Sequence, residues 1–358
     1  MSRNTIMKLA AAVALLSSTV LTQTAAAETF TIRIGAGHPA AATWITTIRE
    51  GFMPQVAERV AAETDHEINW SESWGGSVCK LGECLGAVEA GLLDMADLQT
   101  PFDPARLMAW NFSYFVPFGS GDPVQGVKLN LQTYEDIAGL RDQLEERYNQ
   151  VFVGVGILGN YGLITNFTWD DVSELEGERI AAAGPNIPWV SSVGIVPVQS
   201  NLNEAYTSMQ TGVYNGWVMF PDGVTSFRLE EVSKQFTVTG FGVIATPLLT
   251  MNKDTWDSLP EDVQTIFREE GRNWSERAGE YTAKRQEESL EKMRAAGVRI
   301  VELTDEQKAE WAARLPNIPA DRTEEINSAG QPGDAVYHYI DLLKADGHEF
   351  PRDWLAER

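Results

Sequence analysis

The run from Phe30 to Thr100 constrains the fold more than any other part of the chain, because it switches repeatedly between two hydrophobic periods. 30-FTIRIGAG-37 alternates apolar and polar residues and stops at glycines, the pattern of an opening strand. Trp44, Ile48, Phe52, Val56 and Val60 then fall one helical turn apart, which predicts a helix over Thr43 to Thr64 with one apolar face. A second strand at 67-EINWSESW-74, a helix from Lys80 to Ala90 and a third strand at 92-LLDMADLQT-100 follow. That order requires crossovers, and hence an α/β architecture with a parallel sheet.

The alternation continues. An aromatic, proline-rich loop over 101–123 and a helix around Gln125 to Asn149 lead to the strand 151-VFVGVGI-157. A second unit reads as strand 178–183, helix 186–194, strand 195–199, helix 203–211 and strand 213–219. Mixed strand character over 235–252 precedes a long helical run, 261–297, which Gly271 and Gly279 are expected to interrupt or bend. Two α/β units and a long helix crossing back predict a two-lobed clamp. Its expected parts are lobe I, 28–153 plus 241–282, and lobe II, 154–240 plus 283–358. Ligands of open α/β sheets bind at the carboxyl ends of strands, so the cleft is expected to collect 36–44, 99–106, 159–165, 181–189 and 215–222.

Residues 1–27 read as a secretory signal peptide. Arg3 and Lys8 precede the apolar 9-LAAAVALLSSTVL-21, and 25-AAA-27 gives a small-x-small cleavage pattern. No later stretch reaches the roughly 18 unbroken apolar residues of a spanning helix. About 330 residues remain, more than one core usually holds, which again favours two lobes. The formal charge of −23 becomes −25 without Arg3 and Lys8. Phosphate would be repelled, so nucleic acid is an unsuitable partner. We read this charge as the solvated surface of a halotolerant source rather than a docking patch for a cationic partner.

Cys79 and Cys84 are the two cysteines. In an oxidising compartment a close pair in a turn reads as a disulfide. A metal site is disfavoured because His38, His66, His338 and His348 are scattered, and no cofactor motif is present. Neither G-x-S-x-G nor H-E-x-x-H occurs, which argues against an enzyme, although a secreted enzyme on a similar fold remains an alternative.

Two ordered segments carry a resemblance. 174-ELEGERIAAAG-184 and 203-NEAYTSMQTGVYNGWVMFP-221 resemble the "DLKGLKIR" strand and the "E-x-Y-x-A-L-Q-T-G-x-x-D-G" segment of solute-binding proteins of tripartite ATP-independent periplasmic (TRAP) transporters, the DctP-type family. Leu175, Gly177 and Ile180 match the first; Glu204, Tyr206, Gln210, Thr211, Gly212 and Gly216 match the second, with Met209 in place of Leu. 75-GG-76, 88-VEAGLLDMA-96 and 251-MNKDTWDSLPEDVQ-264 extend the likeness in the same order. The resemblance implies a two-lobed, type II-like periplasmic-binding-protein fold braced by a long helix. It also implies a periplasmic receptor without catalytic activity that closes on a small solute and passes it to small and large membrane permease subunits.

One departure bears on the ligand. The family strand usually ends in an arginine whose planar fork binds a carboxylate. Here that position is Ala181, and Asn215 and Trp217 replace the family's usual aspartate and glutamine. A cleft without that arginine suits an organic acid poorly, whereas aromatic faces with a carboxylate suit an ammonium group. The expected solute is therefore a small polar or cationic one, an amino alcohol such as ethanolamine or another short amine. The alternative is an organic acid held through Arg106 or Arg228. Candidate aromatic groups are Trp44, Trp74, Phe102, Tyr161, Trp189, Trp217, Phe220 and Phe241. Asp103 and Asp222 are candidate counter-charges, and His38, Gln99 and Glu204 candidate hydrogen-bonding groups. Trp44 has an equal reading as core, Asp103 as the cap of a helix at Pro104, and Glu204 as a brace of the fold.

Overall fold

The computed structural model describes residues 27–356, so the expected signal peptide lies almost wholly outside the described residues. The strands run in chain order: β1 (Thr29–Ala36), β2 (Glu67–Ser73), β3 (Met95–Gln99), β4 (Gln150–Val155), β5 (Gly162–Thr165), β6 (Arg179–Ala182), β7 (Val196–Gln199), β8 (Gly216–Met219), β9 (Gln235–Val238), β10 (Pro247–Asn252) and β11 (Arg299–Glu302). They form two sheets, β2-β1-β3-β10-β4 and β11-β9-β5-β8-β6-β7.

β1 pairs parallel with β2 and β3, as the crossovers require, and its buried Ile32 and Ile34 face the core. β10 enters antiparallel between β3 and β4. In the second sheet β6 is parallel to β7 and β8, whereas β5 is antiparallel to both β8 and β9. Each sheet thus contains strands from distant parts of the chain, and the chain crosses between the two lobes near 156–161 and 239–246.

The expected helix over 43–64 is continuous but not uniform. Thr43–Thr47 and Met53–Glu63 are α-helical, and Ile48–Phe52 between them is a π-helical turn. The expected helix 125–149 is two helices, Pro123–Asp136 and Ala138–Tyr148, parted at Ile137. Glu261–Ala295 is one unbroken helix, contrary to the expectation that its glycines interrupt it. Those glycines serve close packing instead. A β-carbon on Gly271 would stand 2.0 Å from the Val153 carbonyl oxygen of β4, and one on Gly279 would stand 2.7 Å from a Val127 methyl. The long helix packs against β4, Pro123–Asp136 and Pro221–Ser226, so it braces both lobes.

Helix Asp334–Ala345 packs against Pro123–Asp136 and the 109–115 turn of lobe I, with Tyr339 edge-on to Phe112 at 5.3 Å. Cys79 and Cys84 are joined in a disulfide ahead of the short helix Cys84–Glu89.

Candidate functional site

The carboxyl ends of the central strands of both sheets converge on one small cavity of about 30 Å³. Lobe I supplies His38 from the turn after β1, Trp44 from helix Thr43–Thr47, and Gln99, Pro101 and Phe102 from the end of β3. Lobe II supplies Ala183 and Asn186 beyond β6, Leu202, and the run Trp217 to Phe220 at the end of β8. Leu158 and Tyr161 line it from the crossing segment between β4 and β5, and Tyr114 from the aromatic loop.

Polar atoms inside this cavity have no partner in the protein. Both ring nitrogens of His38, Nε1 of Trp44, and both Oδ1 and Nδ2 of Asn186 are buried without a hydrogen bond. An unsatisfied buried polar group costs about 1–3 kcal/mol, so such a cluster marks a surface built to meet something else. His38 is packed edge-on to Trp44 at 4.9 Å, and burial lowers its pKa to about 3. It therefore presents a neutral imidazole, one donor and one acceptor. The Tyr114 and Tyr161 hydroxyls share a hydrogen bond of 3.0 Å, and burial pushes both phenols upward, so they too stay neutral.

Among the described residues no Lys or Arg side chain lines the cavity. Arg106 is turned toward Asp103 at 2.6 Å, and Arg228 pairs with Glu231 at 2.8 Å on an exposed turn. Neither arginine offered by the acid-binding alternative reaches the cavity wall.

Asp222, two residues beyond the cavity-lining Phe220, is wholly buried at the start of helix Pro221–Ser226. Its carboxylate makes no hydrogen bond of ordinary geometry. Burial raises its pKa to about 6, against the smaller opposing pull of the Thr43 hydroxyl, nearby amides and Arg285. Thr43 also meets Ser226 across the lobes at 3.1 Å between hydroxyl oxygens.

The structure brings His38, Trp44, Gln99, Phe102, Tyr161, Trp217 and Phe220 together at the cavity. It places several other candidates elsewhere, each for an identifiable reason. Trp74 donates its indole N–H to the exposed Glu72 carboxylate. Asp103 is occupied by Arg106, and no side-chain cap on the helix at Pro104 is formed. Glu204 faces solvent. Trp189 is core: its indole N–H donates to the Tyr114 carbonyl at 3.0 Å, and its ring lies 5.1 Å from Phe241. Phe241 is enclosed by Phe118, Trp189 and Trp311. Ala181 is buried in register with Trp217, while Ala183, two residues on, reaches the cavity. Tyr114, Leu158 and Leu202 lie outside the ranges expected there, and Asn186 falls within the expected 181–189 without having been singled out as a ligand group. Asn186 had a visible signal, since it ends the Gly-Pro-Asn turn that closes β6.

A family model described as bacterial extracellular solute-binding protein, family 7 (DctP), matches residues 168–323. The chain is 29% identical to the C4-dicarboxylate-binding periplasmic protein DctP of Rhodobacter capsulatus over 39% of its own length and 42% of that protein. It is 29% identical to the ectoine-binding periplasmic protein TeaA of Halomonas elongata over 43% of each. These matches thus span less than half the length of either curated relative. In fold, the chain is similar to a marine metagenome TRAP solute binding protein crystallised with 3-hydroxybenzoate, with a TM-score of 0.76 and 20% identity over 90% of this chain and 100% of that one.

Proposed function

We propose that the chain, which a DctP family model matches over 168–323, is a bacterial extracellular solute-binding protein of that family and serves as a periplasmic receptor of a TRAP transporter. It captures a small solute without net negative charge and hands it to the membrane permease subunits. Consistent with a receptor outside the bilayer, no helix among the described residues is long and apolar enough to cross a membrane. The solute we favour is a short amine or amino alcohol such as ethanolamine.

The observation that carries this reading is the cavity wall itself: aromatic rings and unpartnered neutral polar atoms, with no lysine or arginine among the described lining residues. A carboxylate placed there would be desolvated without a counter-charge, at a cost of several kcal/mol. An ammonium group would instead meet the faces of Trp44, Trp217, Phe220 and Tyr161, with Asp222 two residues beyond Phe220. Cation–π contacts contribute about 0.5–2 kcal/mol each. Closure follows from contacts that a solute makes with both lobes at once.

The second reading is an organic acid held by neutral donors. The free N–H groups of Trp44 and Asn186 favour it, as do relatives whose names specify C4-dicarboxylate and 3-hydroxybenzoate. A thermal-shift panel separates the two. A ligand at about 100 times its Kd stabilises by about 2.7 kcal/mol. Short amines are expected to raise the melting temperature and short carboxylates to leave it unchanged; the reverse pattern selects the acid reading.

A further inference from the structure

Strand β3 carries two buried polar residues on one face, Asp97 and Gln99, at the end of the strand that reaches the cavity. Gln99 Nε2 lies 3.1 Å from Asp97 Oδ1 and 2.8 Å from Oδ2. Gln99 lines both the solute cavity and a small void beside it, whereas Asp97 lines only that void, together with Gly37, Leu81, Gly82, Cys84 and Leu107. Asp97 therefore acts on the cavity only through Gln99.

The chemistry of the pair fixes its sense. An ionised carboxylate accepts hydrogen bonds and donates none, so the Gln99 amide must turn its NH2 toward Asp97. Its Oε1 is then left for the other side. We infer that Asp97 is a positioning residue that holds the Gln99 amide oxygen toward the cavity, making that wall an acceptor for an N–H or O–H of the solute. The inference concerns the solute reading above and sharpens it, because it supplies an acceptor where an amine needs one.

Protonating Asp97 removes the constraint: the carboxyl can then donate to Oε1, and the amide is free to turn over. Burial raises the Asp97 pKa to about 7, only partly opposed by the Gln99 hydrogen bonds. The groups around it leave this titration isolated. Ala36 of β1 and Leu249 of β10 stand opposite in register and are uncharged. Asp103, at the same void, is held by Arg106, which also approaches Glu89 of the adjoining helix at 3.8 Å. Cys84 is in its disulfide, and His38, also at the solute cavity, is neutral above about pH 3. Affinity for an amine should accordingly rise as pH increases through about 7.

The test uses the ¹⁵N-labelled full chain, with the Gln99 side-chain amide resonances identified by their loss in Gln99→Ala. They are followed from acid to alkaline pH in the wild type and in Asp97→Asn, alongside calorimetric titration with ethanolamine. The resonances are also followed in Asp222→Asn, which removes the titration of that carboxyl near pH 6 from the spectra; ethanolamine is titrated only with Asp222 intact. We expect the Gln99 resonances to shift through about pH 7 in the wild type and not in Asp97→Asn. Ethanolamine affinity should fall about tenfold in Asp97→Asn at alkaline pH and lose its pH step. Resonances that ignore pH in the wild type, or the same pH step in Asp97→Asn, overturn the inference. If ethanolamine fails to bind the wild type at every pH, the amine reading fails, and the Gln99 resonances alone decide the positioning role. If Asp97→Asn does not fold, the wild-type titration decides it.

Discussion

Trp217 ends a strand of four buried residues, Gly216–Met219, and turns its side chain to the cavity. Replacing it by alanine removes one aromatic face from the solute and should weaken amine binding about 3- to 30-fold, measured by calorimetry. Asp222 makes a prediction of the opposite kind, about stability. Its pKa is raised from 3.8 to about 6, so the folded chain holds a proton that the unfolded chain releases sooner. Stability from this group is thus fully present below about pH 4 and is lost as pH rises through about 6. Asp222→Asn should stabilise the solute-free protein at pH 8 by up to roughly 3 kcal/mol and have little effect in acid, as read by denaturant titration. Residues whose chemistry shows in type alone, such as His38, Gln99 and Trp217, were legible in the sequence. Trp189 and Phe241 were not, because an aromatic residue near a strand end reads the same whether its ring enters the cavity or, as here, packs on Tyr114 and Trp311 beneath it. Asp97 escaped notice for a related reason: its role depends on a neighbour two positions along the strand.

The long helix Glu261–Ala295 shows how an element can invert a residue's usual effect. In an exposed helix, alanine for glycine gains about 1 kcal/mol. At Gly271 the added methyl would meet the Val153 carbonyl oxygen at 2.0 Å, and a β-carbon on Gly154 would stand 2.6 Å from the Gly271 carbonyl. Gly271→Ala should therefore destabilise, by about 2–4 kcal/mol in chemical denaturation, because backbone on both sides must move. Sequence periodicity located this helix well but misread its glycines, since a packing contact with a strand over a hundred residues away leaves no local trace. The β-α-β alternation of the first lobe was legible for the opposite reason: each step is local. The antiparallel insertion of β10 between β3 and β4 was not, because a short apolar strand does not encode its neighbours. The turn at Ile48–Phe52 keeps the apolar stripe of its helix, so its change to π geometry was equally hidden.

At the level of the whole molecule, the two lobes meet around the cavity through the protein's own side chains as well as through whatever it binds. Thr43 touches Ser226, and the Trp44 ring stacks on Phe227 with centroids 6.3 Å apart and approaches Phe220 at 6.0 Å. These contacts join helix Thr43–Thr47 to helix Pro221–Ser226 and its flanking residues, and they are lost if the lobes part. Thr43→Val should weaken solute binding by about 2- to 10-fold while changing the unfolding midpoint little, because it removes one cross-lobe hydrogen bond of the closed form. Small-angle scattering should then show a larger solute-free radius of gyration for this variant than for the wild type. Mass spectrometry of the solute released from gently purified protein is the decisive measurement. A short amine or amino alcohol is the predicted result; a carboxylic acid at stoichiometric occupancy would contradict it.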